Sequence, residues 1–195
     1  AFLMAMQSRT NVHGPGSYLM NTGFLLPGFP CLGAWVSYAL GSEADNLPAF
    51  VVLPDTKGLP YNQRGNFSAG FLPVSHQGTI LNAASPTPMA HLEAPASARY
   101  ITPEADRSGL ELLGRLNRRH QANHEGDTRL ESRIEAYELA ARMQLSAPEV
   151  FALDGETPLT RRLYGLDDPV TADFGRRCLL ARRLVERGVR FVQVW

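Results

Sequence analysis

The last twenty-five residues constrain the fold more than any other stretch. From Thr171 to Arg187 the spacing predicts an amphipathic helix with Phe174, Cys178, Ala181, Leu184 and Val185 turned inward and Arg176, Arg177, Arg182 and Arg183 turned to solvent. Gly188 stops it, and Val189 to Val194 follow at once as an apolar strand. A second uninterrupted run, Ala49-Phe50-Val51-Val52-Leu53, sits between Pro48 and Pro54 and has the character of a strand covered on both faces. Helix, glycine, strand is the grammar of a parallel sheet. The expected fold is therefore α/β, a three-layer sandwich with a mostly parallel sheet, in which both runs are interior parallel strands with helices 32–40 and 171–187 on the faces.

The two halves of the 195-residue chain are built differently. Residues 1–98 carry seven charged side chains but ten prolines and ten glycines, whereas residues 99–195 hold thirty-one charges and few breakers. In the first half, Leu32 to Leu40 lies between Pro30 and Gly41 and predicts a short helix buried all round. From Pro54 to Pro103 no period is sustained, and a stretch that long reads as a functional excursion over the carboxyl ends of the strands. In the second half, Asp106 is expected to cap a helix bearing Leu110, Leu113 and Leu116, ending near Gly126. Another is expected from Thr128, with Leu130, Ile134, Tyr137, Ala141 and Leu145 on one side. Together they predict a helical hairpin over residues 106–145 that shields one end of the sheet and brings no catalytic group. Ser146-Ala147-Pro148-Glu149 has the form of a capping box for a further short helix.

Charge and composition exclude whole classes of function. Nineteen basic and nineteen acidic residues cancel, and no basic block is present, so a nucleic-acid partner has no electrostatic footing. Asn11, His13 and Asn21 interrupt the most apolar N-terminal stretch, so no membrane span is expected. Cys31 and Cys178 make no Cys-x-x-Cys pair and read as small core residues. The chain begins at Ala1 without a signal peptide and stops in mid-strand at Trp195, so it is read as a single partial domain, an internal fragment of a longer protein.

Histidines are the natural acids, bases and metal ligands near neutral pH. His120 and His124 stand at i and i+4, a chelating interval, but on the polar side of a charged helix near its end, and read as solvated. His91 reads as a loop residue. His13 is placed differently. It stands in the turn Asn11-Val12-His13-Gly14-Pro15-Gly16-Ser17, before a short helical segment that Gly23 ends. A reactive side chain on such a turn faces free N–H groups and the positive end of a helix dipole, which suits an anionic ester.

Several runs together resemble a known family: His13 to Gly23, Gly33 to Glu43, Asn46 to Leu53, Gly70-Phe71-Leu72-Pro73 with His76-Gln77-Gly78, Tyr137 to Gln144, and Leu179 to Gln193. The chain resembles an exported bacterial family catalogued as domain of unknown function 1501, similar in turn to the sulfatase and alkaline phosphatase superfamily. Sulfatases carry Cys-x-Pro-Ser-Arg with a Thr-Gly pair one short helix later, and His13, Pro15, Thr22 and Gly23 fall into step with it. This chain departs from the pattern: His13 replaces the cysteine that becomes formylglycine, Gly16 the serine and Ser17 the arginine, so the sulfatase mechanism does not transfer. His13 is left as nucleophile, metal ligand or general acid.

The resemblance implies a metal-assisted hydrolase of sulfate or phosphate esters, exported to the periplasm or cell surface, acting on a small anionic ester or a sulfated glycan. His13, Ser17 and Thr22 are its candidate catalytic residues, and Arg64 and His76 its candidate substrate contacts. It also implies a divalent ion (calcium, zinc, magnesium or manganese), with an aspartate and a histidine following the position of Trp195 in relatives as ligands. The fragment alone is then expected to be inactive. The alternative expectation is an exported binding or surface-assembly protein that keeps the fold without the chemistry.

Overall fold

The computed structural model describes residues 7–85, 102–124 and 150–195, together with residues 126–127, 130–131, 133–135 and 137–139. Its elements run α1 (His13–Thr22), α2 (Leu32–Leu40), β1 (Phe50–Leu53), β2 (Thr79–Ile80), α3 (Pro103–Ala122), α4 (Pro158–Leu163), α5 (Ala172–Glu186) and β3 (Phe191–Val194), with short 3-10 turns between them. The three strands form one parallel sheet in the order β2-β1-β3, with Phe50 beside Phe191 and Leu53 beside Val194. The class is α/β, as the helix-glycine-strand ending predicts. β1 is central, but β3 stands at the edge of the described sheet and is half-buried rather than interior.

Strand alternation sends β1 into two cores. Phe50 and Val52 pack with Cys31, Ala34, Phe67 and Ala69, on the side of α2. Val51 and Leu53 pack with Leu81, Val150, Leu180, Leu184 and Val189, on the side of α5. All four β1 residues are buried, which is why the run contains no polar position.

Both helices on the sheet correct the sequence reading. α2 is not buried all round. Gly33, Ala34 and Ser37 face the sheet, while Leu32, Trp35, Tyr38 and Leu40 are exposed. In α5 the expected inward face is met only in part: Leu184 is buried, and Cys178 and Ala181 are half-buried. Gly175, Arg177, Leu179, Leu180 and Leu184 are buried, whereas Phe174 and Val185 are exposed. At Gly175 a Cβ would collide with the Tyr164 carbonyl oxygen, so one side of the helix rests on that turn. Arg177, only 3 % exposed, is turned inward on the other side, roughly 200° away around the helix. Its guanidinium bonds Asp173 at 2.8 Å, lies 3.8 Å from Asp55 and donates to the Trp195 carbonyl, which satisfies the buried charge. Cys31 is buried as expected and Cys178 half-buried; burial pushes both thiols up, and both are free.

α3 starts at a Thr102 cap, whose hydroxyl accepts the Ala105 N–H, with Pro103 in the first turn, rather than at Asp106. Helical residues recur among those described between 130 and 139, and Leu139 packs on the α5-side core. Leu110, Leu113 and Leu116 of α3 remain exposed. Ala141, Leu145, the segment 146–149 and His91 lie outside the described residues. Among the described residues no helix is long and apolar enough to cross a membrane.

Candidate functional site

The Gly-Pro-Gly stretch is not a turn ahead of a helix. It is the first turn of α1 itself, which begins at His13 after an extended Val12 and ends where Gly23 takes the left-handed conformation, φ 81°. No side chain caps its N-terminus, and none of its residues is fully buried. Polar contacts from the excursion after β1 hold it instead. Asn62 donates from Nδ2 to the Gly14 carbonyl at 2.6 Å, and Ser17 Oγ donates to Asn66 Oδ1 at 2.7 Å. Asn66 is 0 % exposed, and its Nδ2 donates to the carbonyls of Tyr61 and Gln63, which fixes Oδ1 as the acceptor. Tyr18 lies against Gly65, where a Cβ would stand 2.5 Å from the phenolic oxygen. Asn62 and Gln63 both take positive φ, 65° and 45°, in the turn that sets these groups against the helix.

The sheet reaches the same helix. Gln193 Nε2 donates to Asn21 Oδ1 at 2.7 Å, and Asn21 Nδ2 donates to the Ser17 carbonyl at 2.7 Å, so the end of β3 is tied to α1 by two successive amides. Between them opens a cleft of about 650 Å³, lined by His13, Ser17, Asn21, Tyr61, Gln193 and Trp195 among others. It stands at the carboxyl end of β3, where open α/β sheets take ligands. His13 is exposed on its rim, with its ring edge-on to Tyr61 at 4.9 Å.

The candidate residues are not all gathered there. His13 and Ser17 are one helical turn apart and share the cleft. Thr22, nine positions from His13, falls on the opposite side of the helix. Its hydroxyl donates to the Tyr18 carbonyl at 2.8 Å and accepts the Phe24 N–H at 3.1 Å, a local helix-ending role. Arg64 is exposed in the 3-10 turn beside α1, outside the cleft lining. His76 belongs to another neighbourhood: its Nδ1 meets Ser37 Oγ of α2 at 2.9 Å and its ring stands edge-on to Tyr38 at 5.3 Å. Burial lowers its pKa, which favours the neutral imidazole. The polar residues that line the cleft beside His13 and Ser17, Asn21, Tyr61 and Gln193, have no sequence signal beyond lying near His13 or at a strand end.

The divalent ion that the family resemblance implies can be tested against the donors present. His13 is the one histidine, cysteine or carboxylate residue in the cleft lining, and no group of three such residues that could hold a metal occurs among the described residues. These residues do not fit a divalent cation. The uncapped start of α1, with the N–H groups of His13 and Gly14, suits an anion better.

No curated protein and no solved structure matches the chain. Residues 1–195 match, over their whole length, the model of a family described as protein of unknown function (DUF1501), and the chain belongs to that family.

Proposed function

We propose that the cleft between α1 and the end of β3 binds the anionic group of a sulfate or phosphate ester, and that the protein hydrolyses it. The observation behind this reading is the place of His13: on the first turn of an uncapped helix, at the carboxyl end of a parallel strand, facing open space. In this reading the first-turn N–H groups and Tyr61 orient the ester oxygens. Water attacks the sulfur or phosphorus, His13 gives its proton to the ester oxygen as that bond breaks, and the proton shed by the attacking water restores His13. Ser17 orients rather than attacks, because its own proton is committed to Asn66. The proposed fold is the three-layer, alkaline phosphatase and sulfatase-like sandwich, and the proposed location is the periplasm or cell surface, with a sulfated glycan as one form of substrate. A divalent ion (calcium, zinc, magnesium or manganese) belongs to this proposal by resemblance alone, and no step is assigned to it.

A second reading rests on a specific observation. Among the described residues His13 has no carboxylate or hydroxyl partner that would make it half of an acid-base pair; its ring contact is the edge of Tyr61. On that reading the cleft holds an anion without turning it over, as in a binding or surface-assembly protein.

The two separate in one experiment. Aryl sulfate and aryl phosphate hydrolysis is measured for the full-length protein and His13→Ala, with calcium, zinc, magnesium and manganese in turn, and anion binding is titrated in parallel. A loss of about 100-fold or more in His13→Ala, with the circular dichroism unchanged, supports hydrolysis with His13 as proton carrier. Equal turnover in both proteins removes His13 from the chemistry. Anion binding without turnover under any metal establishes the second reading.

A further inference from the structure

The interval between His120 and His124 acquires geometry in the structure. We propose that these two imidazoles bind one divalent transition-metal ion at the end of α3, through their Nε2 atoms. Their ring centroids are 4.3 Å apart with the planes tilted by 35°, and both side chains are exposed. His124 Nδ1 lies 2.9 Å from the His120 carbonyl oxygen. A carbonyl only accepts, so Nδ1 carries the proton and the lone pair is on Nε2. A backbone carbonyl on one ring nitrogen is the arrangement that orients a metal-binding histidine and fixes its tautomer.

The backbone supports the placement. α3 ends at Ala122, and the negative end of its dipole favours a cation there. The chain then closes on itself: the His124 N–H donates to the Gln121 carbonyl at 2.9 Å and the Asp127 N–H to the His124 carbonyl at 3.2 Å. The second histidine is thereby held over the last turn instead of trailing away. Arg119 sits in that turn too and opposes a cation. The site therefore favours ions that bond strongly to nitrogen over hard ions that bind chiefly by charge. Two imidazoles with water completing the shell suit copper(II) first, then nickel and zinc, and not magnesium or calcium.

Copper(II) chloride, nickel(II) chloride, zinc chloride and magnesium chloride are titrated calorimetrically into tag-free full-length protein, His120→Ala, His124→Ala and a His76→Gln control. One copper ion per chain is expected, with affinity falling about 100-fold in either site variant, since each removes an intramolecular second ligand. His76→Gln should bind as the parent does. The paramagnetic resonance spectrum of the copper form should show coupling to two imidazole nitrogens in the parent and to fewer in the variants. Unchanged copper affinity in both site variants, absence of copper binding in the parent, or magnesium binding that both site variants abolish would each overturn the proposal. The variants touch only exposed side chains, so far-ultraviolet dichroism confirms that lost binding is not lost fold.

Discussion

α1 and α5 are attached to the same sheet by opposite means. α5 buries five residues and joins a core of Val51, Leu53, Leu180, Leu184 and Val189. α1 buries none, and amides hold it: Asn62 on Gly14, Asn66 on Ser17, Gln193 on Asn21. Apolar burial is non-directional and scales with area, and in α5 Leu179, Leu180 and Leu184 supply it. Hydrogen bonds are directional and individually contribute only about 1 kcal/mol, so α1 is fixed in orientation but weakly. The cleft with His13 lies on the weakly held side. That is the usual distribution, with the part that meets ligand drawn from the less stable portion of a fold.

Truncation inside the α5 core should have the largest effect. Leu184 is fully buried between β1 and Val189, so Leu184→Ala removes contacts and leaves a cavity. A loss of about 2–5 kcal/mol is expected, read as a shifted denaturant midpoint for global unfolding. A loss below about 1 kcal/mol would mean that α5 is not part of the cooperative core, and the contrast with α1 would collapse.

The second test strikes the other side. Asn66→Ala removes the acceptor of Ser17 and the donor to two carbonyls, at a side chain that is itself fully buried. The expected cost is about 1–3 kcal/mol, smaller than at Leu184. Its signature should be local. Hydrogen exchange should quicken in α1 and residues 60–67 before it changes in β1. Equal acceleration throughout would make α1 as deeply integrated as α5.

The same contrast explains what the sequence made legible. Apolar runs and their glycine or proline stops mark β1, β3, α2, α5 and the end of α1 at Gly23, because burial writes itself in residue type. Which side of a helix is buried follows from close approaches such as Gly175 on Tyr164, and these are set by another segment. Arg177 reads as surface because its partners, Asp55 and the Trp195 carbonyl, are remote in sequence. β2 has two residues and no periodicity to display. The cleft was legible only in part. His13 and Ser17 share a helix and could be paired by spacing, whereas Tyr61 and Gln193 reach it from a left-handed turn at Asn62 and from a strand end. Thr22 and His76 show the limit from the other direction, since proximity in a motif put neither into the cleft.

Acid should separate the two attachments with the smallest effect and the cleanest sign. Residues 150–156 are clasped to α5 by Glu156, which bonds Arg183 at 2.6 Å and Arg182 at 3.0 Å, while Arg183 also donates to the Val150 carbonyl at 2.9 Å. The Arg183 hydrogen bond, aided by that of Arg182, holds the Glu156 carboxyl below its ordinary pKa against the opposing effect of burial. A group whose folded pKa is depressed contributes stability above its unfolded value, and that contribution fades as pH falls from there through the folded pKa. The bonds that hold α1 join amides, hydroxyls and carbonyls, none of which titrates in that range. Lowering the pH from neutral should therefore weaken the clasp on α5 and leave those of α1 unchanged. Exchange of residues 150–156 should accelerate below about pH 4.3, the unperturbed glutamate value, while that of residues 60–67 keeps its ordinary pH dependence. In Glu156→Gln the carboxylate is absent at every pH, so the acid response of 150–156 should disappear and exchange there should already be faster at neutral pH. Should residues 60–67 respond to acid as strongly as 150–156, the attachment of α1 would have to include an ionisable group, and its purely amide character would be refuted.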